Sequence, residues 1–214
     1  MSDKVSPQKH QPHIRDLSLI WMRKIMTFID LQDIDKDGVI GYNDLMLLAD
    51  RFGKLVKSEK SKNEHIEIHR KRHKILNESS EGPMTFKKQI LKYWQLMDDP
   101  AIVEQWQKES SGFFKILDSK GNGYLSFDDF IVYWRVLGMD TRFARMQFDY
   151  VNTNQDGLIT EEEFVKARVE YFTNTDPNNQ NQDPLSIEYF PYSFEISLKS
   201  CFKLDFRRSE FLTT

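Results

Sequence analysis

The sequence predicts an all-α protein built from four helix–loop–helix units, paired into two compact lobes with a short two-stranded contact between the loops of each pair. Three observations predict it. A twelve-residue acidic pattern closing on an acid stands nearly complete at residues 33–44 and 152–163. Weaker copies at 77–88 and 118–129 keep glycine at the sixth position and an apolar residue at the eighth. Apolar residues at helical spacing flank the loops.

The pattern is the calcium loop of the EF-hand motif, and its logic is coordination. Calcium is a hard cation that takes six to eight oxygens. Carboxylates or amides stand at loop positions 1, 3 and 5, a backbone carbonyl at 7 and a bidentate acid at 12, with glycine at 6 for the sharp turn. The first copy places Asp33, Asp35, Asp37 and Asp44 at positions 1, 3, 5 and 12, the most anionic set in the chain. Aspartate at position 12 reaches less far than glutamate, which lowers the coordination number and moves the site toward magnesium.

The second copy, Asn77 to Lys88, carries a cation where the closing acid belongs, so it is expected to keep the fold and to have lost the ion. The third copy has Asp118, Asn122 and Asp129 in place but Lys120 at position 3. A charged lysine has no lone pair to give. Either it swings out and a water fills the gap, or it neutralises the loop without metal. In the fourth copy Asn152, Asn154, Asp156 and Glu163 occupy positions 1, 3, 5 and 12, so only two carboxylates face the ion. Calcium is expected there through Glu163, with reduced affinity.

The flanking segments agree. Trp21, Ile25, Phe28 and Ile29 recur at helical spacing before the first loop, and Leu45, Leu48, Ala49 and Phe52 follow it. Phe148 and Val151 precede the last loop, with Phe164, Ala167 and Tyr171 after it. The eighth positions, Ile40, Met84, Leu125 and Ile159, are where paired loops are expected to touch as strands. The units group as lobes 14–99 and 100–174, followed by a linker and tail, 175–214. Within that last part, residues 178–183 are polar and aperiodic, whereas Ile187, Tyr189, Phe190, Tyr192, Phe194 and Ile196 are too apolar to leave in water. The tail reads as a packed segment closing a hydrophobic groove, or as an extension without a role.

From about Leu17 to Asp176 the chain resembles the invertebrate sarcoplasmic calcium-binding proteins, with calexcitin as a close relation. The likeness lies in Trp21-Met-Arg-Lys ahead of Asp33-Ile-Asp-Lys-Asp-Gly, in Asp50-Arg-Phe, and in Phe113-Phe114-Lys-Ile-Leu-Asp118. It continues in Leu137-Gly138-Met-Asp140, Asn152 to Thr160, Tyr171-Phe172 and Asp176-Pro177. Members of that family typically lose the second site, matching Lys88. The resemblance implies a cytosolic calcium and magnesium buffer, often of muscle. It also implies backbone ligands at the carbonyls of Val39, Leu158 and Tyr124 beside the side chains already named. Lys120 and Asn152 depart from the family pattern.

Composition bounds the function. The 214 residues carry 33 acids against 30 bases, a net charge of −3, which lacks the basic surplus of a nucleic-acid binder. One cysteine, Cys201, excludes an intrachain disulfide scaffold and fits a reducing compartment. The amino-terminal residues carry no apolar signal region and no stretch is apolar enough to span a bilayer, so a cytoplasmic protein is expected. No catalytic signature is present, and the chain reads as a monomeric, non-enzymatic protein. Sixteen Phe, eight Tyr and four Trp read as core, or as the walls of a cavity for an apolar ligand or partner helix. His65, His69 and His73 share one helix face, expected to be solvated, with zinc or copper as the alternative. Two rival functions stay open. One is a calexcitin-like sensor acting on a protein target. The other is a luciferin-binding protein, against which stands the absence of any histidine after His73.

Overall fold

The structure, a computed structural model, describes residues 13–56, 59–77, 85–176 and 178. Eight α-helices are present among them: α1 (Leu19–Gln32), α2 (Tyr42–Val56), α3 (Glu59–Asn77), α4 (Phe86–Leu96), α5 (Pro100–Leu117), α6 (Phe127–Val136), α7 (Ala144–Val151) and α8 (Glu161–Thr173). The all-α expectation therefore holds. Loops 33–44, 118–129 and 152–163 each join two helices. Most of the 77–88 loop, with Met84, lies outside the described residues, as does the tail from 179 onward.

The loop chemistry also starts the helices. Thr160 at position 9 caps α8 by accepting from the Glu163 N–H, while the Glu163 carboxylate accepts from the Thr160 N–H. Ser126 and Asp129 form the same reciprocal box at the start of α6. Positions 9 and 12 together thus satisfy two orphan donors at the start of the next helix. α5 begins differently, with Asp99 accepting from Ala101 N–H and Pro100 in the first turn.

Two antiparallel strands, β1 (Tyr124–Leu125) and β2 (Ile159–Thr160), pair in the register Tyr124 with Thr160 and Leu125 with Ile159. The eighth positions therefore face each other as the sequence predicts, and both are fully buried. In the first half, among the described residues, a bridge joins Val39 to Thr85. These are positions 7 and 9 of their loops, the same positions that Tyr124 and Thr160 hold.

Two buried clusters form the core. One collects Leu48 and Phe52 of α2 with Phe113, Phe114, Trp134, Phe148 and Phe164 from the later helices. The other packs Trp21, Ile25 and Ile29 of α1 and Ile90 and Tyr93 of α4 against Trp106 of α5 and Phe172 of α8. Each cluster draws on both halves of the chain, and α5 and α8 contribute to both. The carboxyl end of α8 is fastened to α1: Trp21 Nε1 donates to the Phe172 carbonyl at 2.7 Å, Lys24 Nζ to the Asn174 carbonyl at 2.8 Å, and the Tyr171 hydroxyl to the Lys24 carbonyl at 2.6 Å.

Two of the three histidines on α3 are not solvated, which corrects the expectation for them, while His73 is half-buried. His65 and His69 are buried, the first stacked on Phe52 at 4.8 Å between centroids and both edge-on to Phe113. α3 and α5 run close together at Gly112, where a Cβ would lie 2.9 Å from Ile68 Cδ1. No helix among the described residues is long and apolar enough to cross a membrane.

Candidate metal centres

Three loops share one backbone template. Glycine at position 6 takes a left-handed conformation in each, with φ of 85° at Gly38, 84° at Gly123 and 82° at Gly157. Position 4 is left-handed too, at Lys36, Gly121 and Gln155. Lys36 and Gln155 pay for this with Cβ crowding, roughly 1 kcal/mol each. The turn points short oxygen-bearing side chains inward and lets each accept from a backbone N–H two residues on. Asp35 accepts from Asp37 N–H at 3.2 Å and Asp37 from Val39 at 2.7 Å. In the last loop Asn154 accepts from Asp156 at 3.1 Å and Asp156 from Leu158 at 2.8 Å.

In loop 33–44 three of the four sequence-predicted acids converge, and Asp44 stands outside their group. Ligand oxygens of Asp33, Asp35 and Asp37 lie within 4.8 Å of one another. Asp33 Oδ2 accepts from Gly38 N–H at 3.0 Å, whereas Asp33 Oδ1 is buried and accepts nothing. Burial pushes the Asp33 carboxyl above its usual range; the Gly38 N–H opposes this, and the neighbouring Asp44 and Asp37 carboxylates add to it. Asp44 is buried and ties the loop together. Its Oδ1 accepts from Ile34 N–H at 2.7 Å and Asp35 N–H at 3.2 Å, and its Oδ2 from Gly41 N–H at 2.8 Å. A crowded set of acids with one orphaned oxygen is under electrostatic stress that a bound cation relieves.

Loop 152–163 has the same orphan. Asn152 is buried and its Oδ1 has no hydrogen-bond partner. Glu163 differs from Asp33 in having its charge well supported. Oε1 accepts from Thr153 N–H at 2.9 Å and Thr153 Oγ1 at 2.7 Å, and Oε2 from Thr160 N–H at 3.0 Å and Thr160 Oγ1 at 2.9 Å. Desolvation raises its pKa, and these four bonds outweigh it and hold the carboxyl down to about 2. Glu163 is thus ionised and positioned at neutral pH. Asn154 Nδ2 donates to Asp156 Oδ2 at 2.9 Å, which fixes both side chains at the loop mouth.

In loop 118–129 Lys120 is paired with the closing acid. Its Nζ turns inward and lies 3.2 Å and 3.5 Å from the two Asp129 oxygens. Asp118 accepts from Asn122 N–H at 3.0 Å and Gly123 N–H at 2.8 Å. Burial raises the Asp129 pKa, but the bonds from Ser126 and the ammonium of Lys120 leave it below the usual carboxylate range. The lysine neutralises the acid that would close a metal site.

In comparison with known families, the one described as "EF-hand domain pair" matches residues 108–137. No curated protein matches the chain. Among solved structures, okadaic acid binding protein 2.1 superposes with a TM-score of 0.65 at 19% identity, covering 78% of this chain and 94% of that one. The calcium-loaded apo form of the coelenterazine-binding protein of Renilla muelleri gives 0.60 at 18%, covering 73% and 89%. Magnesium-loaded apo-berovin, a light-sensitive ctenophore photoprotein, gives 0.60 at 15%, covering 70% and 86%. The fold is that of an EF-hand protein. At these identities the likeness carries the fold, and it singles out no one family within that group.

Sequence reasoning missed the hydrogen-bonding partners of position 12. Ile34, Asp35 and Thr153 lend N–H groups to the closing acid from the loop's opposite side. The signal was present in the fixed spacing of nine or ten residues, which any closed twelve-residue loop must bring together.

Proposed function

We propose that the chain binds calcium reversibly at loops 33–44 and 152–163, with magnesium competing, and works as a cytoplasmic calcium and magnesium buffer rather than as an enzyme. The observation that supports this most is the pair of buried, unpartnered oxygens, Asp33 Oδ1 and Asn152 Oδ1, each at position 1 of its loop, with oxygens of Asp35 and Asp37 converging beside the first. An orphaned buried oxygen costs roughly 1–3 kcal/mol, a cost that a cation in the loop removes.

In loop 33–44 the ion would meet Asp33, Asp35, Asp37, Asp44 and the Val39 carbonyl. In loop 152–163 it would meet Asn152, Asn154, Asp156, Glu163 and the Leu158 carbonyl. Asp118, Asn122, Asp129 and the Tyr124 carbonyl hold matching positions, but Lys120 makes that loop self-neutralised, and it is assigned no ion here. Buffering is favoured over sensing because Asp44, shorter than glutamate and already bound on both oxygens, suits the small octahedral magnesium ion that would occupy the loop at rest. All three calcium-binding loops of berovin bind magnesium, so a fold of this kind accepts that ion. Calcium titration of Glu163→Gln and Asp44→Ala tests the assignment: each is expected to lose one ion per chain, and unchanged stoichiometry in both would refute it.

A further inference from the structure

Loops 118–129 and 152–163 are joined from one closing acid to the other. Glu163 Oε2 accepts from Thr160 N–H at 3.0 Å and from Thr160 Oγ1 at 2.9 Å. Thr160 lies on β2, which pairs with β1 in the register Tyr124 with Thr160 and Leu125 with Ile159. Leu125 and Ile159 are fully buried. Ser126 follows Leu125 directly, and it donates to Asp129 Oδ2 from its N–H at 3.1 Å and from its Oγ at 2.6 Å. An unbroken line of contacts therefore runs from Asp129 through Ser126, the strand pair and Thr160 to Glu163.

At the far end of that line stands a cation that belongs to the chain. The Lys120 ammonium lies 3.2 Å and 3.5 Å from the two Asp129 oxygens. Asp129 is only 16% exposed at its side chain, so its charge is poorly screened and gains from a fixed positive partner. In a metal loop the ion itself holds the closing acid, and its occupancy follows the calcium concentration. A tethered ammonium does not depend on concentration. Loop 152–163 has need of such support, because only Asp156 and Glu163 bring charge to its ion and Asn152 stands at position 1. A site with little charge of its own gains most from ligands already in place.

We propose that Lys120 is a positioning residue for calcium at loop 152–163: its ammonium is a built-in counter-ion that keeps loop 118–129 closed and, through the strand pair, keeps Thr160 and Glu163 in ligating position. The inference rests on calcium binding at loop 152–163. Its consequence is that this loop fills as a single site, without waiting for an ion in its neighbour. Charge alone predicts the opposite influence. An ammonium in the adjoining loop repels a cation, so removing it should tighten calcium at loop 152–163, whereas loss of positioning should weaken it. The sign of the change separates the two.

The test is a calcium titration of the full chain in chelator-buffered solution, followed by nuclear magnetic resonance at the amides of Gly38 and Gly157. These hold position 6 of loops 33–44 and 152–163, so each site is read by itself. Lys120→Met is expected to weaken calcium at Gly157 about fivefold, the lower end of couplings between sites, and to leave Gly38 unchanged. Lys120→Arg keeps the charge and is expected to stay near the unaltered value. Lys120→Asp is expected to recover the affinity with steeper filling, because a second calcium ion then takes the place of the ammonium. Unchanged or tighter binding at Gly157 in Lys120→Met would overturn the proposal. So would equal weakening at Gly38 and Gly157, which would mark a general loss of stability. No response of Gly157 to calcium in the unaltered chain would overturn the metal assignment of that loop and this inference with it, a failure distinct from one seen only in the Lys120 variants.

Discussion

Replacing Lys120 by aspartate is expected to open loop 118–129 to a further calcium ion. The ammonium lies 3.2 Å and 3.5 Å from the Asp129 oxygens, so it stands within about 5 Å of any cation those oxygens would hold. Its side chain is 64% exposed, so the screening is close to that of water. Under those conditions a unit charge repels a dication by about 2 kcal/mol, and reversing its sign doubles the change to roughly 3–4 kcal/mol, several hundred-fold in affinity. The exposed ion pair itself is worth little to folding, so the fold is expected to survive. The assay is the number of calcium ions bound per chain by calorimetry. Lys120→Asp should add one, and Lys120→Met should show only a weak additional site. If Lys120→Asp binds no more calcium than the unaltered chain, lysine is not what silences this loop.

Three further outcomes follow from the same geometry. Asp44→Glu lengthens the closing acid and should raise the preference of the first loop for calcium over magnesium at least severalfold, read by competition calorimetry. Glu163→Gln keeps the shape of the side chain but removes its charge; it should cost the last loop its ion, and thermal unfolding should lose its calcium dependence at that site. Lys24 is fully buried, and desolvation, offset in part by Glu170, lowers its pKa from 10.5 to about 8. Between those values the unfolded chain binds the extra proton, so stability should rise with pH there, by roughly 3 kcal/mol at most. The penalty is complete below about pH 8. Lys24→Met should flatten that rise in chemical denaturation, and a rise that persists in the variant would assign it to other groups.

The loops were legible in the sequence because coordination chemistry fixes both residue type and spacing. Leu125 facing Ile159 and the capping boxes at Ser126 and Thr160 follow from the same twelve positions. The environment of Lys120 was not, since whether a long cation turns in or out depends on where Asp129 points. Nor was the burial of His65 and His69. On hydropathy a histidine-rich, strongly charged helix reads as solvated, yet the His65 imidazole stacks on Phe52 inside the core. The two core clusters could not be read from local pattern either, because Trp106 and Phe172 join α1 and α4 only once α5 and α8 are packed. Lys24 was hidden for a similar reason: its ammonium is satisfied by the Asn174 carbonyl, 150 residues away in the chain.

The most direct test of the account is a calorimetric calcium titration of the full chain, with and without millimolar magnesium. The proposed function predicts two sites, at loops 33–44 and 152–163, both weakened when magnesium competes. Sites indifferent to magnesium would contradict the buffering role, and no heat of binding at all would contradict the assignment of metal to these loops.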